Sequence, residues 1–373
     1  MKPVWHIYYA TKGTSGAYID ALLKASGIAG INAAAFVSAN YLFRHGRVYK
    51  CFFPVTDFTE ERNIFIKLLR GMELCFSYMY IGISAAIARS IVVIHLIDDF
   101  HITYLFFKFC KIAGLTVRIT CHDVNSHYLG MNNNRARILV QADELLVHNE
   151  AAVRMLCDNL GKSVKNKVKT YPFPYSAFDE IVSRQKIDSA RDRLRDNVGS
   201  NYYLFLGVVR RSKGIETLIE AWPQFNLGKR DRLVIAGKWT DPDEKYRKMA
   251  DDDETIAVID RYLDDEEFVH LIEGAKFVVL PYLEYAHSAI IVSCGHHGGA
   301  VIVSDIELFK QYLPNYSCTF RRGDSHALAR ILESASDLTE EEIANCRQEL
   351  KQAILSQSKH LVEDLREAYR SGN

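Results

Sequence analysis

The sequence has no excess of either charge and no pair of cysteines spaced C-x-x-C. Its 46 Lys and Arg are balanced by 46 Asp and Glu, so the whole chain presents no net field that would favour a nucleic acid as partner. Eight cysteines are scattered through apolar segments. This pattern argues against a disulfide scaffold or a cysteine zinc site and predicts a reducing, cytoplasmic location.

Long apolar runs and nucleotide fingerprints are also missing. The N-terminal stretch lacks the extended apolar core of a signal peptide. The longest apolar run, residues 74–88, is shorter than a membrane span and is interrupted by Ser77, Gly82 and Ser84, so we predict a buried core helix there. There is no P-loop, and the Gly-Thr-Ser-Gly segment at 13–16 lacks the spacing of a dinucleotide fingerprint.

What the sequence does contain is an alternation of short apolar runs and amphipathic stretches, the pattern of parallel α/β domains. Residues 172–200 interrupt it with two prolines and a charged stretch, and it restarts at Tyr202. A chain of 373 residues is too long for one core. We therefore predict an α/β domain at 1–175, a second at 176–345, and a helical segment at 346–373 that crosses back to the first.

The charges are divided unevenly between the two halves. Residues 1–175 contain 20 Lys and Arg against 12 Asp and Glu, whereas residues 176–373 contain 26 against 34. One interpretation is that oppositely charged domains attract each other. The other is that the basic half meets an anionic membrane or a lipid-phosphate acceptor, for example through Phe106, Phe107, Lys108 and Lys111, although helical phenylalanines are commonly core residues.

Two segments of the second half are suited to binding a phosphate. Arg210 and Lys213 follow a predicted strand, and the carboxyl ends of parallel strands form the ligand crevice of α/β folds. Ser288 is placed to cap a helix whose free N–H groups attract anions, and Glu284 lies just upstream to accept from a sugar hydroxyl. The alternative is exposed loop cations beside an ordinary capped helix.

In the first half, His122 and Asp123 follow the predicted strand 117–121 and point into the same kind of crevice. A histidine here can transfer a proton or contact a substrate. The alternative is a structural histidine whose hydrogen bonds are satisfied within the fold.

These segments, in this order, resemble the retaining GT-B glycosyltransferases of family four (glycosyl transferases group 1). The similarity is clearest from Phe205 to Val303. This resemblance implies two Rossmann-like domains that face each other across a cleft. The first domain would bind the acceptor and the second the nucleotide-sugar donor. It assigns His122, Arg210, Lys213 and Glu284 to catalysis, and to donor binding Gly13, Gly16, Gly237, Arg261, Tyr262, His287, Ser288, Ala289 and Ile290.

The sequence departs from the family at its two glutamates, which are separated by seven residues. Alignment on Gly298 and Val301 places Tyr285 and Ser293 there, with Glu284 one position from the first. The segment His287-Ser288-Ala289 resembles the helix start of those relatives in which the helix N–H groups hold the diphosphate.

The resemblance implies transfer of a hexose from a UDP or GDP sugar to a glycan or lipid-linked acceptor, with retention and without a metal. We expect a cytoplasmic protein in peripheral contact with the inner face of the membrane through its basic first domain, acting in polysaccharide or glycolipid assembly. Two alternatives stay open. They are a nucleotide-sugar epimerase or hydrolase, and a degenerate, non-catalytic partner protein.

Overall fold

The computed structural model describes residues 2–9, 13–54, 64–96, 100–122, 134–176, 178, 181–199, 201–225, 231–240, 244–284 and 287–370. The chain forms two compact units. Unit 1 comprises Met1–Ser176 and Gln357–Asn373, and unit 2 comprises Ala177–Ser356. The chain thus leaves unit 1 once and returns to it near its C-terminus.

Unit 1 is built on a parallel seven-stranded sheet in the order β3-β2-β1-β4-β5-β6-β7. Its strands are β1 (Val4–Tyr8), β2 (Ala33–Ser38), β3 (Arg47–Phe52), β4 (Ile91–Leu96), β5 (Val117–Cys121), β6 (Glu144–Val147) and β7 (Val168–Thr170). The β-branched run Ile91–Ile94 of β4 is buried on both faces, as its sequence predicts. The order reverses between β1 and β4, which makes this pair the switch point of the sheet.

Five helices of unit 1 connect these strands: α1 (Thr14–Ile28), α2 (Ile64–Ala88), α3 (His101–Ile112), α4 (Asn134–Gln141) and α5 (Glu150–Leu160). Asn149 caps α5 by accepting from the Ala152 N–H at 2.9 Å. On α3 the side chains of Phe106 and Phe107 are buried, so the prediction that these aromatics belong to the core is confirmed.

Helix α2 does not match its prediction. It begins at Ile64 and has 25 residues, and it is long and apolar enough to span a membrane by length and composition. Only one face is buried, on Leu74, Tyr78, Ile81, Gly82 and Ala85. The predicted buried core helix is therefore wrong for the outer face, since the run is apolar on both sides and its composition does not reveal which side packs.

Unit 2 has a parallel six-stranded sheet in the order β10-β9-β8-β11-β12-β13. Its strands are β8 (Tyr202–Leu206), β9 (Arg232–Ala236), β10 (Ile256–Ile259), β11 (Ala275–Leu280), β12 (Val301–Ser304) and β13 (Thr319–Phe320). Its helices are α6 (Arg184–Val198), α7 (Ile215–Phe225), α8 (Glu244–Asp251), α9 (Asp265–Gly274), α10 (Ala289–His296), α11 (Glu307–Tyr312) and α12 (Ser325–Ser336).

The core of unit 2 is centred on aromatic side chains of β8 and α7. Trp222 is fully buried, and its indole N–H donates to the Thr255 hydroxyl at 2.8 Å. The predicted junction at 172–200 contains helix α6, which starts after Ser183 and packs on α9. Parallel sheets with interleaved helices in both units confirm the predicted α/β class.

Two C-terminal helices, α13 (Glu340–Lys359) and α14 (Leu361–Arg370), bring the chain back to unit 1. Helix α14 packs on α1, and the Arg366 Nη2 donates to the Ile28 carbonyl at 3.1 Å. Arg118 of β5 is fully buried and pairs with Glu144 at 2.6 Å. Its Nη1 donates to the Ala368 carbonyl at 3.2 Å, and its guanidinium lies 4.8 Å from the Tyr369 ring centre. The last helix therefore completes the core of unit 1.

Candidate active site

The switch point of the unit 2 sheet lies between β8 and β11. Strand β8 is central, with β9 and β10 on one side and β11, β12 and β13 on the other. The loop after β8 contains Arg210 and Lys213, and the loop after β11 leads to Ser288. Topology thus places both predicted phosphate-binding segments at the position where parallel α/β sheets bind ligands.

The loop after β8 forms a 3-10 turn at Arg211–Lys213 and ends at Gly214. The Lys213 side chain is buried, and its Nζ lies 5.6 Å from the centre of the Tyr282 ring. Arg210 is half-buried at the start of the turn. Arg211, by contrast, is exposed and pairs with Glu216, Nε to Oε1 3.0 Å. Lysine 213 is therefore turned inward, while its neighbour Arg211 faces solvent.

Close backbone approaches hold the two loops together. Gly214 has a φ of 68°, and a Cβ there would overlap the carbonyl oxygen of Pro281. The Leu283 N–H donates to the Ser212 carbonyl at 3.0 Å. In the same way, a Cβ on Gly237 would overlap the carbonyl of Gly207. Glycine at these positions lets three loops meet at one edge of the sheet.

Helix α10 begins beside Lys213. A Cβ added to Gly207 would lie 2.9 Å from the Lys213 Nζ and 3.5 Å from the Ile290 Cδ1, so these two side chains bound the same small space. Ser288 occupies the N-cap position, but its side chain makes no capping hydrogen bond. Its hydroxyl lies 3.4 Å from that of Tyr282 instead. The prediction that the Ser288 side chain caps α10 is therefore wrong.

The segment before α10 carries the remaining predicted residues of this loop. Glu284 is exposed in a bend, whereas His287 is half-buried. Burial lowers the pKa of His287 to about 4, so the ring is neutral at physiological pH and presents one donor and one acceptor. Tyr285, at the family position of the first glutamate, lies outside the described residues. Ser293, at the second, donates to the Ala289 carbonyl within its own helix.

The predicted base-contacting pair, Arg261 and Tyr262, follows β10. Arg261 binds Glu267 through both nitrogens, Nη1 to Oε2 at 2.7 Å and Nη2 to Oε1 at 2.9 Å. Glu267 also closes the capping box of α9. Arg261 is thus held by a structural contact, while Tyr262 is exposed. In the sheet, β10 is separated from β8 by β9.

In unit 1, Gly13 and His122 follow β1 and β5, which flank β4 at the switch point. Gly13 is the N-cap of α1, and Gly16 lies in the first turn of that helix. The His122 ring stacks on that of Tyr8, with centres 5.0 Å apart. Asp123, its predicted partner, lies outside the described residues.

A chain of histidines that the sequence did not reveal leads to His122 from the core. The His95 Nδ1 lies 3.0 Å from the His122 Nε2, and the His95 Nε2 lies 3.1 Å from the His6 Nδ1. Burial lowers the pKa of His6 to about 3 and that of His95 well below its usual value. Because neutral His95 has a single N–H, its tautomer determines which nitrogen of His122 carries a proton. Each residue comes from a different strand, so only the strand order brings them together.

No group of three or more histidine, cysteine, aspartate or glutamate side chains suited to a metal ion is found in the part of the chain that the structure describes. The adjacent carboxylates Asp98 and Asp99, which could bind Mg²⁺ together with phosphates, lie outside that part. The described residues at the edge of unit 2 instead offer a buried ammonium and a helix N-terminus, which are groups that bind anions.

The sequence model of the family "Glycosyl transferases group 1" matches residues 186–353, most of unit 2. No curated protein shows significant similarity to the chain.

Solved structures share the fold along the full length of the chain. Sucrose-phosphate synthase from Thermosynechococcus elongatus has 15% identity and a TM-score of 0.66, over 100% of this chain and 99% of that one. Anabaena Alr3699/HepE in complex with UDP and glucose has 12% identity and a TM-score of 0.68, over 100% of both chains. The N-terminal domain of Candida albicans trehalose-6-phosphate phosphatase has 10% identity and a TM-score of 0.69, over 98% and 97%.

The matched segment contains Lys213 and the start of α10, and both units have the parallel sheets of the GT-B neighbours. Residues 186–353 are therefore similar to the glycosyl transferases group 1 family, and the whole chain shares the fold of these solved structures.

Proposed function

We propose that the protein transfers a hexose from a UDP or GDP sugar to a glycan or lipid-linked acceptor, and that the donor diphosphate binds in unit 2. The observation that carries this proposal is the convergence of Lys213 and the N-terminus of α10 at the switch point. A buried lysine beside the N–H groups of a helix N-terminus matches a diphosphate in charge and hydrogen bonding. The neighbour HepE, whose structure contains UDP and glucose, supports the same donor class.

In this mechanism the bond between the anomeric carbon and the β-phosphate oxygen breaks, and the acceptor oxygen bonds to the anomeric carbon on the same face. The acceptor proton passes to the departing phosphate oxygen, so configuration is retained and atoms balance. Arg210, Lys213 and the N–H groups of Ala289 and Ile290 stabilise the negative charge that develops on the diphosphate. These groups supply the charge compensation without a divalent metal.

Other predicted residues complete the proposal. His122, with its tautomer set by His95, contacts the donor sugar or the acceptor hydroxyl, and Glu284 accepts from a sugar hydroxyl. We propose a cytoplasmic protein of surface-polysaccharide or glycolipid assembly, with unit 1 in peripheral contact with the inner face of a membrane. The basic charge of residues 1–175 supports this location.

The decisive experiment compares Lys213→Ala with Arg211→Ala in titrations of UDP and GDP. Because a charge-assisted hydrogen bond to phosphate is worth about 1.5–3 kcal/mol, Lys213→Ala should weaken nucleotide binding by about 10- to 100-fold. Arg211 lies two residues away but pairs with Glu216 at the surface, so Arg211→Ala should bind like the wild type. Calorimetry with and without EDTA measures both effects.

Equal affinity of the two variants would overturn the assignment of Lys213. An effect of EDTA on wild-type affinity would overturn the metal-independent mechanism. If neither UDP nor GDP binds the wild-type protein, the donor assignment fails, and the degenerate partner protein becomes the better explanation.

A further inference from the structure

We propose that the outer face of helix α2 is a membrane-docking surface, and that the helix lies in the headgroup region of an anionic bilayer without crossing it. The inference rests on the peripheral contact of unit 1 proposed above. It adds the surface, the orientation and the class of lipid.

The outer face of α2 is an uninterrupted apolar stripe. Large apolar side chains recur every three or four residues, at Leu68, Met72, Phe76, Met79, Ile83 and Ile87, and are between 48% and 81% exposed. The three charged residues of α2 (Lys67, Arg70 and Glu73) lie outside this stripe. A helix of 25 residues is about 37 Å long. Soluble monomers rarely expose a continuous apolar surface of that length, and such surfaces mark membrane or protein contacts.

The opposite face of α2 is fixed to the body of unit 1. The Tyr78 ring stacks on that of Phe106 of α3 with centres 4.4 Å apart, and a Cβ on Gly82 would lie 2.8 Å from the Phe109 ring. The Ser77 hydroxyl donates to the Cys51 carbonyl of β3 at 2.7 Å. A transmembrane orientation would require these contacts to break. Although α2 is long and apolar enough to span a membrane, we infer that it lies in the plane of the membrane surface, with one face in lipid and the other against the protein.

The first turns of α2 extend past the sheet. Glu73 accepts from the N–H of Phe53, the residue directly after β3, at 3.1 Å. Residues 64–72 therefore reach about 13 Å beyond the carboxyl end of β3. His122 and Gly13 follow strands of the same parallel sheet at the same edge. A docked α2 would thus hold the membrane next to the predicted acceptor site of unit 1.

The charges near α2 favour lipid over a second copy of the chain. Lys50 of β3, Lys67 and Arg89 are exposed on or next to the helix. Residues 47–89 contain six Lys and Arg against four Asp and Glu, so this segment has a net positive charge. A symmetric dimer would pair this surface with itself and bring the same cations together. An anionic bilayer offers a partner of opposite charge with an apolar layer beneath, which suits an apolar stripe with cations beside it.

Flotation with lipid vesicles tests this proposal on the full chain. Wild-type protein is mixed with phosphatidylcholine vesicles, with or without phosphatidylglycerol, and compared with the double variant Phe76→Glu/Met79→Glu. Both side chains are exposed, so the folded unit should be preserved, which circular dichroism checks. Loss of two apolar insertions should reduce the vesicle-bound fraction at least about 10-fold. Leu355→Glu, at an exposed leucine of α13, is the matched control and should float like the wild type.

The outcomes separate this surface from the broader proposals. Binding that the double variant retains, and that salt abolishes, would overturn the α2 surface while leaving a charge-driven peripheral contact in place. No binding of the wild type to either vesicle would overturn both. Resistance to alkaline carbonate extraction would indicate a spanning helix, and a lipid-free dimer that the double variant dissociates would indicate a protein partner, either of which overturns the inference. UDP titration of the same variant tests the donor site independently.

Discussion

Gly214 shows how much of the candidate site depends on the absence of a single side chain. Its αL conformation ends the 3-10 turn that carries Lys213, and its Cα lies directly against the backbone of Pro281. Only glycine satisfies both requirements, because the conformation disfavours other residues and the contact leaves no room for a Cβ. The distance between the two predicted phosphate-binding loops is therefore set at this residue.

Gly214→Ala should both destabilise unit 2 and weaken nucleotide binding. Gly298 provides the matched control, because its φ of 71° is nearly the same but a Cβ there would meet nothing within 4 Å. We expect Gly298→Ala to cost about 1 kcal/mol from backbone strain, and Gly214→Ala about 3 kcal/mol or more, since a loop must also shift. Urea denaturation measures the difference. Equal losses would show that the contact with Pro281 is unimportant.

Individual site residues were predictable where they follow a clear strand. Arg210, Lys213 and Ser288 lie in loops that follow apolar runs, so their place at the carboxyl edge could be inferred from periodicity. The role of the Ser288 side chain could not, because capping depends on the side-chain rotamer, and here the hydroxyl lies 3.4 Å from that of Tyr282. The pairing of Arg261 with Glu267 was missed for a similar reason, as it depends on the turn into α9.

At the scale of elements, three strands of unit 1 assemble the histidine chain. His6, His95 and His122 stand on or just after β1, β4 and β5, which are adjacent in the sheet although distant in sequence. No local pattern predicts such a contact, because it requires the strand order. The same limit applies to α2, whose burial depends on which neighbours β3 and α3 supply.

The histidine chain predicts a fall in stability at acidic pH. His6 and His95 have folded-state pKa values below that of an unfolded histidine, so below about pH 6.5 the unfolded state binds more protons than the folded state. The free energy of unfolding should therefore decrease by about 1.4 kcal/mol per pH unit for each of the two, as pH falls from 6.5 toward 4. Above pH 6.5 they contribute no pH dependence.

Chemical denaturation of wild type and His6→Gln across this range measures the slope. The variant should lose about half of the histidine-dependent slope, whereas His326→Gln, at an exposed histidine of α12, should keep it. A wild-type protein as stable at pH 5 as at pH 7 would contradict the neutral, buried assignment.

For the whole molecule, the two-domain α/β organisation was predictable, because thirteen short strands of the described chain are mostly apolar runs separated by helical stretches. The sequence did not predict strand β3, because its polar and apolar residues alternate little and four of its residues are charged or half-exposed. The return of the chain to unit 1 could be anticipated from its helical tail. The burial of Arg118 beneath α14 could not be anticipated, because its contacts with Glu144 and Tyr369 depend on the folded arrangement of the chain.

Tyr369→Ala should destabilise unit 1 by about 3 kcal/mol, because it removes a buried ring and leaves the Arg118 guanidinium less completely packed. Glu363→Ala, at an exposed position of the same helix, should change stability by less than about 0.5 kcal/mol. Differential scanning calorimetry checks both. A variant at Tyr369 with wild-type thermal behaviour would show that α14 is not part of the unit 1 core.

The contact of α14 with Arg118 has a consequence for biosynthesis. Residues 177–356 leave the ribosome ahead of α14, whereas unit 1 cannot be completed until that helix arrives to contact Arg118. Domains generally fold as units in the order of their synthesis. Here the unit that begins first can be completed only after residues 177–356 have been made, so the order of synthesis and the order of completion differ.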